Sequence, residues 1–270
     1  RSFIFLIFFL FFFFFFFFIF YVFFIMYYCL LFLVYSLRII YFNSNYTFLA
    51  NSNYSTITIY PMQNIRADSY LEPFPHIIFH NFYNEEELEL IWEELNFYTK
   101  PNKLLNAEDY GGVVDKTNSH ALALDDIYHG DKLRTVSNIL TVNRKLFNSE
   151  ILDVFSEIHD CCGIARYANY DITKVRYYHD EEYYDSHTDS PFHFLAFSYF
   201  YKEPKKFSGG EIFFPKYDYE YVCNNNSMII IPGWVEHGVK KVSIRDSDYY
   251  DGWGRYCISS FFGCRDDGKN

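Results

Sequence analysis

The pattern of apolar and polar positions divides the chain into three stretches. From Ser2 to Leu37 no residue carries a charge, and positions 11–18 are all Phe. Such a run exceeds the ~20 apolar residues a membrane helix needs. It is also too long for a signal-peptide core and offers no small-residue cleavage site. Read as protein, it predicts a membrane anchor. Phe, Leu, Ile, Tyr and Asn all have codons built from A and T alone, so translated non-coding sequence is the other reading, and composition does not choose between them. The chain begins with Arg, and Met26 and Met62 each offer a start. Residues 40–61 are polar and rich in Asn, Ser and Tyr, which predicts a linker or more of the same non-coding sequence.

A globular pattern opens in LEPFPHIIFHNFYNEEELELIWEEL (71–95). His76–Phe82 reads as a short apolar strand. Asn84 is placed to cap a helix whose first turn holds Glu85, Glu86 and Glu87, acids that suit the helix dipole. Leu88, Ile91, Trp92 and Leu95 then recur at helical spacing. Residues 101–130 are irregular, and a second helical stretch is predicted over roughly 134–158, with Ile139, Leu146, Ile151, Val154, Phe155 and Ile158 as its apolar side. From residue 172 the texture changes to short Tyr-, Phe-, Ile- and Val-rich runs separated by Gly, Pro, Asn and Asp. These predict strands at 173–178, 193–201, 210–214, 227–232, 238–244 and 255–262. SMIIIP (227–232) has no polar face and predicts a strand covered on both sides. Gly209 and Gly210 give backbone freedom where a loop enters a strand. The fold class expected is α+β, mainly β: a double-stranded β-helix (jelly roll) core with supporting N-terminal helices. Residues 1–61 form the hydrophobic segment and linker. Residues 62–270 form the domain, with helical support over about 71–170 and the core over about 172–264.

Composition narrows the partners. The chain has 270 residues, a formal net charge of −11 and 50% hydrophobic residues. The ~200 residues after the N-terminal segment suffice for one well-cored domain. An acidic balance without clustered Lys or Arg argues against a phosphate-backbone partner, so no nucleic acid is expected. A membrane is expected only if residues 2–37 are a genuine anchor, and a cytoplasmic location follows if translation starts at Met62. Six Cys without a C-x-x-C spacing predict reduced, partly buried thiols. The sequons at Asn45, Asn53 and Asn225 decide nothing in so Asn-rich a chain. Oligomeric state is not legible.

The candidate chemistry centres on YYDSHTDSPFHF (183–194). His187 and Asp189 stand two apart, so on an extended segment both face one side and can hold one cation. Two His and one carboxylate are the usual ligands of non-haem Fe(II) sites with open positions. His237, in IIIPGWVEHGV after a buried strand and a turn, is the third candidate. His179 and His193 read as ordinary sheet or loop residues. In GRYCISSFF (254–262), Arg255, Cys257, Ser259 and Phe261 share one face of a strand. Arg255 can grip a carboxylate through two parallel hydrogen bonds, with Ser259 donating a third. Arg245, eight residues after His237, is its rival.

In these motifs, taken in order, residues 71–264 resemble the prolyl 4-hydroxylase-like branch of the Fe(II)/2-oxoglutarate dioxygenases. YYHDEEYYDSHTD is similar to the family's Tyr-x5-Tyr-x2-His-x-Asp run, through Tyr178, Tyr184, His187 and Asp189. FSYFYKEPKKFSGGEIFFP resembles the strand and Gly-Gly-Glu hairpin that follow, IIIPGWVEHGV the distal-histidine segment, and RYCISSFF the co-substrate strand. The resemblance implies Fe(II) bound by His187, Asp189 and His237. It also implies 2-oxoglutarate held at its 5-carboxylate by Arg255, with Tyr199, Tyr178 and Ser259 assisting, O2 as oxidant and ascorbate as an accessory reductant. It implies hydroxylation of a prolyl residue in a peptide or protein; lysyl residues and small molecules stay open as substrates. The nucleic-acid demethylase branch has a second Arg six positions after the co-substrate Arg, where this chain has Phe261. A binding module with a vestigial site and a cupin-like protein using another metal are the rivals. Two departures stand out. The 18 residues from His237 to Arg255 are more than the family's usual interval, and DEEYY replaces the usual Gly-Gln between the tyrosines.

Overall fold

Residues 49–51, 54–58, 65–100 and 103–265 are described by the structure, a computed structural model. The chain divides into two units, Arg1–Thr47 and Phe48–Asn270, and the described residues all belong to the second. The Phe-rich run therefore lies outside the described residues. Among those residues no helix is long and apolar enough to cross a membrane.

Fifteen strands and six short α-helices follow one another in the described residues. Strands β1 (Leu49–Asn51), β2 (Tyr54–Thr58), β3 (Arg66–Tyr70) and β4 (His76–His80) lead into helix α1 (Glu85–Tyr98). Asn84 caps α1 in a reciprocal box: its side chain accepts from Glu87 N–H, and Glu87 accepts from Asn84 N–H. After β5 (Ala121–Ala123) come α2 (Leu124–Ile127), α3 (Gly130–Arg134), α4 (Asn138–Asn143) and α5 (Ser149–Ser156). The helix expected over 134–158 is thus broken. Asn148 turns extended and caps a fresh helix by accepting from Glu150 N–H, which ends the run that began at Asn138. Arg134 then ties α3 to the sheet by donating to both oxygens of Asp171, at 2.7 and 2.9 Å.

The remaining chain alternates between two antiparallel layers. β6 (Tyr170–Tyr178), β8 (Phe194–Phe200), β12 (Ser227–Pro232) and β15 (Arg255–Gly263) join one sheet in the order β1-β2-β3-β4-β12-β8-β15-β6-β5. β7 (Tyr184–His187), β10 (Ile212–Phe214), β11 (Tyr219–Tyr221) and β13 (His237–Val239) form the other, in the order β11-β10-β13-β7. β9 (Phe207–Gly209) pairs with β14 (Val242–Ile244), and α6 (Asp246–Tyr250) follows. This is the jelly-roll arrangement, in an α+β fold that is mainly β. The expected strand 227–232 matches residue for residue, whereas 238–244 is split into β13 and β14. Opposite that split, Gly209 and Gly210 both hold φ +75° and bend the partner strand. The stretch read as a linker contributes β1 and β2, which pair onto β3.

Both faces of β8, β12 and β15 are covered, which explains their unbroken apolar runs. On the outer face Phe194, Phe200, Tyr256 and Phe262 meet Phe155, Trp92 and Phe147 from the helical side. On the inner face Leu195, Phe197, Tyr199, Ile229, Ile231 and Phe261 pack with Phe207, Ile212, Phe214 and Val235 in one core. Arg255, Tyr178, Tyr199 and Ser259 lie on strands of the large sheet, and His187 and His237 on strands of the smaller one.

Candidate metal centre and carboxylate pocket

One strand pairing and the loop after it build the candidate metal centre. β7 and β13 are antiparallel, and their register sets His187 opposite His237. Directly opposed side chains in such a pair are close neighbours, and the two imidazole centroids lie 4.6 Å apart. Asp189, two residues past the end of β7, turns back toward both: its Oδ2 is 3.7 Å from His187 Nε2 and 3.5 Å from His237 Nε2. The three ligand atoms all lie within 4.8 Å of one another. Ligands at about 2.1 Å from one ion span roughly 3.0 to 4.2 Å; the separations to Asp189 fall in that window.

The hydrogen bonds fix which nitrogen is offered. His187 Nδ1 is 2.9 Å from the Asp185 carbonyl and His237 Nδ1 is 2.9 Å from the Val235 carbonyl. A carbonyl only accepts, so each Nδ1 carries the proton and each Nε2 presents its lone pair toward Asp189. Burial, with His187 beside it, lowers the His237 pKa to about 4. Burial also lowers that of His187. Both imidazoles are therefore neutral ligands at neutral pH. Asp189 Oδ2 is buried without a hydrogen-bond partner, a costly state that a cation relieves. Two neutral imidazoles, one carboxylate and this orphaned oxygen fit a divalent ion such as Fe(II).

Arg255, at the start of β15, is the candidate carboxylate-binding residue. Arg255 is 1% exposed. Its Nε and Nη1 are buried without partners, and its Nη2 only approaches Cys223 Sγ at 3.6 Å. Its guanidinium lies between the rings of Tyr178 (4.5 Å) and Tyr199 (5.1 Å). The Tyr199 hydroxyl is likewise buried and unpartnered, and burial pushes its pKa well up, so it stays a donor. An unpaired buried guanidinium is strongly unfavourable; beside a free phenol hydroxyl it fits a carboxylate ligand. Ser259 lies four residues on, on the same face of β15, and is already engaged, accepting from Arg176 Nη1 at 3.0 Å. Tyr178 contributes its ring face. Arg245 lies elsewhere: its side chain is 79% exposed and paired with Asp248 at 2.5 Å.

Sequence reasoning passed over Arg176 and Lys174, which share the site-facing side of β6 with Tyr178. Their alternation with Val175 and Tyr177 is visible in the sequence but reads as a strand with one wet face. His179 and His193 stay outside the cluster: the first meets Asp246 at 3.1 Å and the second joins the strands through its backbone. Cys161, Cys162, Cys223, Cys257 and Cys264 are free thiols, and Cys29 lies outside the described residues.

No family model matches this chain, and no curated protein sequence matches it. Solved structures similar to it include a Pseudomonas putida prolyl-4-hydroxylase, with 12% identity and a TM-score of 0.44 over 71% of this chain and 93% of that one. A 2OG-Fe(II) oxygenase family oxidoreductase from Burkholderia pseudomallei gives 13% and 0.48, over 70% and 84%. The viral collagen prolyl hydroxylase of Paramecium Bursaria Chlorella virus-1, in its 2OG complex, gives 13% and 0.40, over 69% and 94%.

Proposed function

We propose that this chain is an Fe(II)- and 2-oxoglutarate-dependent dioxygenase that hydroxylates a C–H bond. One observation carries the reading: an open three-ligand cluster and a partnerless buried guanidinium are held on two sheets that face the same interior. With O2 and 2-oxoglutarate, a ferrous ion supplies the oxidising power for C–H hydroxylation, and 2-oxoglutarate leaves as succinate and CO2.

The chain's own residues bind and orient. His187, Asp189 and His237 would hold the metal, a three-residue set of the kind that leaves room for reacting ligands. Arg255 anchors the remote carboxylate of 2-oxoglutarate, and Tyr199 donates a hydrogen bond beside it. Phe197, whose ring centroid is 5.3 Å from that of His237, and the apolar core around it keep bulk water from the cluster. A prolyl side chain is the starting candidate for the hydroxylated group, by resemblance to the family.

The test is anaerobic titration of the iron-loaded protein with 2-oxoglutarate, followed by the visible charge-transfer band of the bound complex and then by succinate release in air. A band in the wild type that is lost in Arg255→Ala, and no metal uptake in His187→Ala or His237→Ala, is the expected result. A wild-type protein that takes up iron yet shows neither band nor succinate overturns the reading.

A further inference from the structure

Two cations face the candidate site without a task in the reading above. By strand alternation, Lys174, Arg176 and Tyr178 point to one side of β6. The register against β15 sets them beside Ser259, Cys257 and Arg255. Arg176 is 5% exposed, its Nε is buried without a partner, and among the described residues it forms no ion pair. Its guanidinium lies 5.8 Å from the Tyr184 ring, and that ring stacks on His187 at 4.1 Å. Lys174 Nζ and the Arg176 guanidinium lie 5.3 and 5.4 Å from the same Tyr110 ring, so the two cations share one wall. Among the described residues, the only hydrogen bond of Lys174 Nζ is a long one, 3.5 Å to the Gly111 carbonyl.

Charge balance makes these two cations a surplus. The two charges of a ferrous ion and the one of Arg255 are met by Asp189 and the two carboxylates of 2-oxoglutarate. That set is neutral without Arg176 or Lys174. A further buried cation is unfavourable until an anion joins it. Burial, and then Arg176, lowers the Lys174 pKa to about 8, outweighing the opposite pull of Asp189 and Asp126.

We propose that Arg176 and Lys174 form an anion subsite beside the metal triad that receives a carboxylate of the primary substrate. The inference rests on the dioxygenase reading and narrows its substrate. Because Arg176 is buried, the acid group must enter the interior together with the reacting carbon. The substrate is then a compact acid; an internal prolyl residue, whose only carboxyl is consumed in an amide bond, does not supply one.

The test has two arms, both on zinc-loaded protein, in which no turnover occurs. In the first, calorimetry measures 2-oxoglutarate affinity. Arg255→Gln should weaken it about 100-fold and Arg176→Gln by less than about threefold, because only the first removes the charge partner of the co-substrate. Equal losses would make Arg176 a second clamp on the co-substrate and overturn the subsite. A wild type that does not bind 2-oxoglutarate at all sinks the dioxygenase reading instead. In the second, acetate, isobutyrate and benzoate are titrated against their matched amides at constant ionic strength, with and without 2-oxoglutarate, and the thermal midpoint is read. The acids should raise it saturably and the amides should not. The rise should vanish in Arg176→Gln, shrink in Lys174→Met and survive in weaker form in Arg176→Lys. No saturable difference between acids and amides, or the same rise in Arg176→Gln, overturns the proposal.

Discussion

Gly210 stands against Arg255 so closely that a Cβ on it would lie 2.4 Å from Arg255 Cδ and 2.7 Å from Nε, while Gly210 itself holds φ +75°. Two separate demands, a left-handed backbone and a close approach, therefore require glycine here. Gly210→Ala is expected to push the guanidinium off its seat between Tyr178 and Tyr199. Affinity for 2-oxoglutarate should fall tenfold or more, the effect of roughly 1.4 kcal/mol. Zinc stoichiometry should not change, because the metal ligands come from β7, the loop after it and β13. Calorimetry with each ligand checks the split, and a loss of metal along with co-substrate would show that the hairpin supports both.

The two arginines that compete for the co-substrate role are separated by burial. Arg245 precedes α6 and holds Asp248 through Nε at 2.6 Å, with most of its side chain in solvent. Among the described residues Arg255 forms no ion pair, and it is almost fully buried. Arg245→Ala should leave succinate release and 2-oxoglutarate affinity at wild-type levels, and Arg255→Ala should lose both. Steady-state assays over a range of 2-oxoglutarate concentrations decide between them.

The convergence of the three candidate ligands was legible because their signal is local. His187 and Asp189 alternate within one segment, and His237 follows an apolar run that predicts a buried strand. Arg176 was not legible, for a physical reason. In KVRYY (174–178) the alternation of charged with apolar residues reads as a strand with one wet face. Here both faces are covered, the outer by helices and the inner by the second sheet, so the charged face lines an interior. Only the pairing of β6 with β15, distant in sequence, reveals that. The same limit hid β3: RADSY carries no apolar periodicity, and its strand exists through pairing with β2 and β4. The break in the predicted helix near residue 148 turned on one Asn side chain capping a new start, which apolar spacing does not encode.

Asn226 links the start of β12 to the entrance of α1. Its Oδ1 accepts from Tyr83 N–H at 3.0 Å, its Nδ2 donates to the Tyr83 carbonyl at 2.8 Å, and it sits at φ 53°. Asn226→Ala removes both bonds and leaves a Cβ residue in a left-handed conformation, for an expected loss of about 2–4 kcal/mol. Asn226→Gly removes the same bonds without the backbone strain, so it should lose less. Urea unfolding of the pair measures the difference. Equal losses would assign the whole effect to the hydrogen bonds.

Acid should destabilise the metal-free protein through imidazoles kept neutral by the fold. His76 is buried between Tyr70 and Phe74, and its Nδ1 donates to the Phe74 carbonyl at 2.8 Å. Burial lowers its pKa from 6.5 to about 4. The sign follows from proton counting: the unfolded chain binds a proton near 6.5, the folded chain only near 4, so each step down through that window favours unfolding. At one pKa unit per 1.36 kcal/mol, the loss for His76 approaches about 3 kcal/mol by pH 4. His237, lowered to about 4 by burial and by His187, adds a second contribution of the same sign. His76→Gln keeps a donor for Phe74 and removes the titration, so its stability should fall less steeply between neutral pH and about pH 5 than that of the wild type. Urea midpoints across that range measure the slopes. Parallel slopes in the two proteins would mean that His76 takes up its proton as readily folded as unfolded, and that its cage is wetter than the packing implies.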